Sequence, residues 1–207
     1  MTPRVAPKKF QPLIQRVGHA EQTRRDILAA GVQLAAVEGL EALSIGRLAE
    51  AVQLSRGGVF AHFGSKEAMQ LAIIETAFAQ FVREVIEPAL QAKPGVGQLD
   101  AIGDLYFDYV KRRAEQGGCF FTAASAEMDD RPGPVREQIV AVLEGRRKLV
   151  HELLSKAKAR REVSGDVDQL TFEIIALGTG AVMEFQLTKD VKVLERARAA
   201  MKRALGA

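Results

Sequence analysis

The sequence predicts an all-α protein of about nine helices, in which a compact three-helix unit precedes a larger helical domain. Two observations support this fold class. Apolar residues recur at helical spacing, as Ile27, Leu34 and Ala35 do near the N-terminus. Segments rich in glycine, proline and aspartate, such as 93–97 and 129–133, interrupt that pattern and mark turns between the helices.

The three N-terminal helices follow one another with almost no linker. The first is expected at 21–38, and Gly39 ends it because glycine readily takes the left-handed conformation just past a helix. Ser44 and Ser55 are favourable N-caps for the second and third helices, since a serine hydroxyl can accept a bond from a free backbone N–H. The third helix, ending near residue 63, has small and polar residues where a core helix would be apolar. This layout is typical of a helix-turn-helix, which presents one short helix to the DNA major groove.

We expect the DNA-facing residues to lie on and beside the third helix. Small residues let that helix approach base edges closely, and Arg56 can bond guanine or phosphate. Lys66 starts the fourth helix, whose exposed N–H groups can bind a phosphate. Val59, Phe60 and Phe63 are expected to pack the third helix against its neighbours. The complete set of predicted DNA contacts is Ser44, Arg47, Ser55, Arg56, Gly58, Phe60, Ala61, His62 and Lys66.

These residues resemble the signature of the TetR family of one-component bacterial regulators, the TetR/AcrR type. The similarity covers roughly residues 21–81 and rests on Gly39, Ser44, Ile45, Leu48, Ala49, Leu54, Ser55, Gly57, Val59, Phe60, His62, Phe63, Ser65, Lys66 and Glu67. Two positions depart from the family pattern. Gln53 replaces the usual turn glycine, which costs about 1 kcal/mol if this residue must have positive φ. Phe60 replaces the usual tyrosine, whose hydroxyl in relatives bonds a DNA phosphate.

The resemblance implies a homodimer that binds double-stranded DNA at a palindromic operator and a small-molecule effector in its C-terminal domain. It divides the chain into an arm, a DNA-binding domain at 21–81 and an effector-binding and dimerisation domain at 82–207. The arm, residues 1–20, contains four basic and no acidic residues. It could contact DNA or simply be a disordered terminus. Further helices are expected at about 66–89, 98–113, 119–128, from 134, at 168–187 and at 191–205.

The helix expected at 168–187 carries apolar residues on all sides, which predicts burial nearly all round. Such a helix is either central to one subunit or, as the family resemblance implies for the last two long helices, paired with a second subunit. The small residues Gly178 and Thr179 favour close helix approach. The predicted dimer residues are Phe172, Ile175, Gly178, Thr179 and Val182.

Aromatic and methionine residues of the second domain predict an apolar or aromatic effector. Tyr106 and Tyr109 are the stronger pocket candidates, because their hydroxyls require polar partners. Cys119 follows two glycines near a helix start and could sense redox state, although free cysteines are more often small buried hydrophobes. The candidate pocket residues are Phe78, Phe81, Tyr106, Tyr109, Cys119, Phe120, Met128 and Met183.

Composition limits the other classes of function. Residues 1–66 carry nine Lys/Arg and five Asp/Glu, and the remainder twenty and twenty-one, so basic charge is concentrated where DNA would bind. The sequence lacks a long apolar run, a signal peptide and a second cysteine, so we expect a cytoplasmic protein that does not enter a membrane. We see no metal-ligand cluster, nucleophile–base pair or phosphate loop. We therefore expect no metal, no cofactor and no enzymatic activity.

Three functions remain open. The first is a sequence-specific transcriptional regulator, in the simplest case a repressor that releases its operator when a small apolar effector binds. In that case helix four is the expected link between the effector and the DNA. The second is a helical enzyme or small-molecule-binding protein with an unrecognised site. The third is an effector-independent DNA-architectural protein.

Overall fold

The computed structural model describes residues 13–206, with side chains from residue 20 onward. All regular elements within that range are helical: α1 Leu13–Glu38, α2 Ile45–Ala51, α3 Arg56–Phe63, α4 Lys66–Phe81, α5 Glu87–Leu90, α6 Val96–Arg112, α7 Phe120–Glu127, α8 Pro134–Ala159, α9 Val167–Thr188 and α10 Val191–Ala204. A π-helical turn, Val82–Ile86, joins α4 to α5 without a break. Since α4 and α5 form one rod, the described chain contains nine helical rods, in agreement with the sequence prediction.

Helix α1 begins at Leu13, well before the start predicted at residue 21. The last part of the predicted arm is therefore helical. Pro12 is the final proline of the N-terminal segment, and no residue after it prevents helix formation. The rest of the predicted arm, residues 1–12, lies outside the described residues.

Three serines start the short N-terminal helices. Ser44, Ser55 and Ser65 each have an extended backbone and accept a hydrogen bond from the N–H three residues further on, at 3.1, 3.0 and 3.0 Å. The predicted caps at Ser44 and Ser55 are confirmed. A serine cap contributes about 1 kcal/mol to helix stability, so these residues fix where α2, α3 and α4 begin.

The N-terminal domain packs around α1 and α4. Ile27, Leu48, Val59 and Ile73 are completely buried and join all four N-terminal helices into one core. Gly31 of α1 allows close approach, since a Cβ there would lie 2.8 Å from the Ile73 side chain. Helix α4 also contacts α8, so it extends from the DNA-binding domain into the second domain.

The second domain consists mainly of α6, α8, α9 and α10. Helix α9 packs on both α8 and α10, and buries Ala181, Val182 and Phe185. Its other face is apolar and open to solvent. Phe172, Met183 and Leu187 are 58, 51 and 87% exposed. The prediction that this helix is buried nearly all round is therefore wrong for a single protomer, because apolar periodicity alone does not distinguish burial by the same subunit from burial by another.

Of the described helices, α9 is the one that is long and apolar enough, by length and composition, to cross a membrane. Polar residues interrupt the apolar run of this helix, so the sequence pattern alone did not indicate a membrane span. Its packing against α8 and α10 is the arrangement of a helix within a folded bundle.

Candidate DNA interface and effector cavity

The predicted DNA-facing surface is formed by α2 and α3. Val59 is buried and anchors α3, whereas Arg56, Phe60 and Ala61 are exposed. The prediction that Phe60 packs inward is wrong, since 51% of this residue is exposed. Phe63 packs in its place, half-buried beneath the Arg24 guanidinium, which lies 4.6 Å from the ring centroid. The third helix thus leaves an aromatic ring and an arginine on its outer face.

An open groove runs between α2 and α3. It is lined by Ser44, Ile45, Gly46, Arg47, Ala49, Glu50, Leu54, Arg56, Gly57, Phe60 and Lys66. Of the other predicted DNA contacts, Ser55 and Ala61 are exposed beside the groove, and Gly58 and His62 are half-buried. Five of the nine predicted residues therefore line the groove, and the other four belong to α3 or its N-cap. The hydroxyls of Ser44 and Ser55 already accept capping hydrogen bonds there.

Gly46 is a groove residue that sequence reasoning missed. A Cβ at this position would lie 3.0 Å from Nε of Arg56. The arginine of α3 therefore lies across α2 at its glycine, and a larger residue there would displace it. The signal in the sequence was a glycine near the start of a short helix, where glycine is unfavourable without a packing reason.

Two of the predicted DNA contacts, Arg47 and Lys66, have carboxylate partners within the protein. Arg47 lies 2.6 Å from Glu38, and Lys66 lies 3.0 Å from Glu41. Hydrogen bonds from these bases lower the pKa of each carboxyl group below its ordinary value. A phosphate would have to share or replace these partners. Sequence spacing did not predict them, because Lys66 and Glu41 are brought together only by the packing of α4.

The turn between α2 and α3 has the conformation expected for the family's glycine. Gln53 has a φ of 56°, in the left-handed region that a non-glycine residue adopts at a cost. Backbone N–H groups of Gln53 and Leu54 bond back to Glu50 and Ala49, which holds the turn closed. Gln53 therefore meets the condition under which glutamine at this turn carries a steric cost.

A cavity of about 170 Å³ lies in the second domain, among α4, α6, α8, α9 and α10. Four of the predicted pocket residues line it: Phe78, Phe81, Tyr106 and Cys119. Its walls are largely apolar, and include Phe121, Ile174 and Met201. The Tyr106 hydroxyl lies 3.6 Å from the Cys119 sulfur, and burial raises the pKa of this tyrosine well above its ordinary value. The hydroxyl is therefore a neutral hydrogen-bond donor at the cavity wall.

The other four predicted pocket residues do not line the cavity. Tyr109 is buried beside it, with the Arg113 guanidinium 4.0 Å from its ring centroid, and burial raises its pKa to about 12. Phe120 and Met128 belong to the core that joins the two domains. Met183 lies on the exposed face of α9. An aromatic or methionine side chain satisfies a core position and a pocket equally well, so composition could not separate them.

The cavity wall also contains charged residues that sequence reasoning missed: Asp100, Asp104, Arg146, Arg198 and Lys202. Their spacing was a usable signal, because the two acids are four residues apart on α6 and two of the bases are four apart on α10. Such pairs lie on one face of a helix. The described residues contain no group of three or more metal-ligating side chains that could hold an ion.

The predicted dimer residues point in different directions. Gly178 and Val182 face inward, and a Cβ at Gly178 would lie 3.1 Å from Met201 of α10. Ile175 lines the cavity. Phe172 is exposed and Thr179 half-exposed on the opposite face. Gly178 and Val182 are therefore covered within the protomer, because the glycine admits α10, whereas Phe172 and Thr179 stay predicted interface residues.

A second connection between the domains was not predicted. The Glu127 carboxylate, at the end of α7, accepts hydrogen bonds from the backbone N–H groups of Leu40 and Glu41 at 2.7 and 2.9 Å. Helix α7 begins beside the cavity residues Cys119 and Phe121. The turn after α1 is thus linked to the effector domain through α7 as well as α4.

Comparison with known proteins agrees with this geometry. A family model described as the tetracyclin repressor-like C-terminal domain matches residues 95–201, and one described as bacterial regulatory proteins of the tetR family matches residues 27–73. A TetR transcriptional regulator from Chloroflexus aurantiacus has a solved structure that is 30% identical, with a TM-score of 0.79 over 89% of this chain and 94% of that one.

Two curated relatives are transcriptional repressors. The HTH-type transcriptional repressor NemR of Escherichia coli K12 is 26% identical over 89% of this chain and 94% of its own. The repressor AcnR of Corynebacterium efficiens is 37% identical over 33% of this chain and 36% of its own. With an exposed helix-turn-helix, a largely apolar cavity and these matches, the chain belongs to the TetR family and is a DNA-binding transcriptional regulator with a ligand-binding C-terminal domain.

Proposed function

We propose that this protein is a cytoplasmic repressor that binds a palindromic operator as a homodimer and releases it when a small effector enters the cavity. The observation that supports this most directly is that two helices, α4 and α7, each connect the cavity to the predicted DNA-facing surface. Phe78 and Phe81 of α4 line the cavity, and α4 begins at Lys66 beside the groove. A ligand that moves α4 therefore moves α3 with it.

We place the dimer interface on the exposed face of α9. Phe172, Ala176, Gly180, Met183 and Leu187 recur at helical spacing and are open to solvent in the protomer. A contiguous apolar stripe of this kind is favourable only when another surface covers it. A two-fold axis at this stripe would bring the same residues of a second copy against it, as an isologous interface requires.

Release of DNA follows from the geometry of a dimer. Two recognition helices must lie about 34–36 Å apart to enter successive major grooves. The effector favours a state in which α4, and with it α3 of each subunit, is displaced, so both half-sites lose their match together. The coupling is reciprocal: operator DNA must weaken effector binding by the factor by which effector weakens DNA binding.

Genome-wide mapping of bound sites, followed by footprinting of the sites found, tests this proposal. We expect short palindromic footprints beside a small number of genes, with expression rising when the gene for this protein is deleted. Arg56→Ala should lower discrimination at one base position by about 1–3 kcal/mol if Arg56 reads a base. Diffuse protection without a palindrome would instead favour an architectural DNA-binding protein. Footprints whose genes fall in expression on deletion would indicate an activator.

A second candidate, a helical enzyme or carrier, rests on the cavity alone. It predicts turnover or ligand binding that is unchanged when residues 1–66 are removed. The proposed repressor predicts instead that ligand affinity responds to operator DNA. Calorimetric titration of a cavity ligand in the presence and absence of operator separates the two.

A further inference from the structure

The cavity is apolar over most of its wall but has one side that is charged. Its charged residues comprise three bases and two acids. Two of the bases have an acid beside them. Arg198 Nε lies 2.8 Å from Asp104 Oδ1, as an ion pair whose angle is not that of a hydrogen bond. Burial raises the pKa of the Asp100 carboxyl group, and the positive charge of Lys202 offsets part of that rise.

Arg146 is the base that remains. Its Nε is buried and has no hydrogen-bond partner in the described structure. A buried guanidinium N–H without an acceptor costs free energy, because it has lost water and gained nothing in return. Arg146 lies on α8, and the next residue, Arg147, is exposed. The placement of one arginine toward the cavity and one toward solvent gives a matched pair for experiment.

A second donor lies within the electrostatic range of Arg146. The guanidinium lowers the pKa of Tyr106, which burial otherwise raises strongly. The Tyr106 hydroxyl donates to the Cys119 sulfur, a weak acceptor, at 3.6 Å, and it also has a hydrogen-bonding interaction with the Thr122 side chain. A guanidinium and a phenol hydroxyl on one cavity wall are the donors that a carboxylate accepts from, and a guanidinium offers it two parallel bonds.

The size of the cavity limits the ligand. A cavity of about 150 Å³ lined by aliphatic and aromatic residues binds benzene, and the cavity here has about 170 Å³. One aromatic ring or a short aliphatic chain therefore fits the apolar part. Three bases and two acids line the cavity, which leaves one positive charge in excess. A ligand with one negative charge would balance it.

We propose that the effector class of this protein is a small apolar carboxylate, with Arg146 and Tyr106 binding its carboxylate and the Phe78, Phe81 and Phe121 side of the cavity holding its ring or chain. This inference rests on the proposed effector-binding function and narrows it. The expectation from composition was an apolar or aromatic effector. The unpartnered Nε of Arg146 points to a negative charge on the ligand and makes Arg146 a specificity-determining residue.

The test compares acids with their neutral amides. Hydrocinnamate and hexanoate are titrated calorimetrically against hydrocinnamamide and hexanamide, using the full-length protein without DNA. We expect at least one acid to bind ten or more times more tightly than its amide, since charge-assisted hydrogen bonds are that much stronger than neutral ones. Arg146→Met should remove the preference, Arg146→Lys should retain part of it, and the exposed control Arg147→Met should leave it unchanged.

Thermal unfolding provides a second readout. Arg146→Met removes an unpaired charge without leaving a large void, so the ligand-free melting temperature should stay the same or rise. A fall would indicate that Arg146 holds the structure together and would overturn its role in ligand recognition. Equal affinity for acid and amide, a preference that survives Arg146→Met, or no binding of any of the four compounds would overturn the proposal as well.

Because these titrations contain no DNA, they remain informative if operator binding fails. A carboxylate that binds without releasing operator would count against the repressor mechanism instead.

Discussion

The Glu127 carboxylate lies 2.7 Å from the backbone nitrogen of Leu40, and so the end of α7 is hydrogen-bonded to the turn that follows α1. The same carboxylate bonds the next N–H, that of Glu41, whose side chain in turn holds Lys66 at the start of α4. A continuous path of polar contacts therefore runs from α7 to the DNA-facing groove. Since α7 begins at the cavity wall, this path is a candidate route for the effector signal.

Replacing Glu127 with glutamine tests that route. The amide offers one acceptor oxygen in place of two charged ones, so we expect a loss of about 1–2 kcal/mol of stability. We also expect a cavity ligand to release operator DNA less effectively, while ligand affinity without DNA stays the same. Fluorescence anisotropy of labelled operator with and without ligand measures the coupling, and Asp130→Asn, in the exposed loop after α7, is the control. If the ligand released operator from Glu127→Gln as effectively as from the parent protein, the signal would have to pass through α4 and not through α7.

The dimer proposal can be tested on α9. Met183→Glu places a charge in the exposed apolar stripe, where a second copy would have to desolvate it, so we expect dissociation to monomers at micromolar concentration. Operator affinity should fall with it, because a monomer carries one recognition helix. Val37 is a matched control, since it is an exposed apolar residue of α1, 63% accessible and away from the stripe. Sedimentation velocity would count against the interface if Met183→Glu stayed dimeric or if Val37→Glu also dissociated.

The helix boundaries were largely predictable from the sequence, whereas the side-chain partners were not. Serine caps, the first-turn proline and helical apolar spacing predict the starts of α2, α3 and α8 to within a residue or two, because each signal acts over one turn of chain. The ion pair of Lys66 with Glu41 and the bond of Glu127 to Leu40 depend on packing between distant segments. Local patterns contain no information about such pairs.

The candidate sites show the same division. The nine predicted DNA contacts lie together because a helix-turn-helix fixes their positions by local geometry. Only half of the predicted pocket residues line the cavity, because an aromatic side chain such as Phe120 can equally well pack in the hydrophobic core. Charged residues in the cavity, Arg146 above all, were missed because charge on a helix is ordinarily solvated.

Phe60→Tyr examines the DNA surface. The exposed ring of Phe60 lines the groove, so a hydroxyl added to it can reach a phosphate without disturbing the core. We expect binding to operator and to random DNA to strengthen alike, by about 1 kcal/mol, because phosphate contacts carry no sequence information. Anisotropy titrations at several salt concentrations measure both affinities. No change would indicate that the DNA backbone lies elsewhere, and a gain confined to operator would indicate a base contact.

The acid sensitivity of the fold should depend on Glu84. This residue of the π-helical turn forms two hydrogen bonds to Arg113, at 2.7 and 3.0 Å, and the pairing lowers its pKa below the ordinary value of 4.5. Its contribution is therefore complete above that pH and is lost as pH falls through the lowered pKa. We expect Glu84→Gln to cost about 1 kcal/mol near neutral pH and less at a pH well below 4.5. Urea unfolding at both pH values measures the difference, with Glu152→Gln on the exposed face of α8 as control.

Gln53→Gly tests the strained turn between α2 and α3. Glutamine at a φ of 56° carries a steric cost that glycine avoids, whereas glycine loses more chain entropy on folding. The steric term of about 1–2 kcal/mol exceeds the entropic one of about 0.5–1 kcal/mol, so we expect a net gain of about 0.5–1 kcal/mol in the free energy of unfolding. Ala199→Gly, at an exposed position within α10, should lower the free energy of unfolding by about 1 kcal/mol, because glycine there gains no steric relief and loses more chain entropy on folding. Chemical denaturation of the two variants beside the parent protein decides the question. A loss of stability in Gln53→Gly would mean that the glutamine side chain makes a compensating contact in the turn, and that the departure from the family's glycine is favourable in this protein.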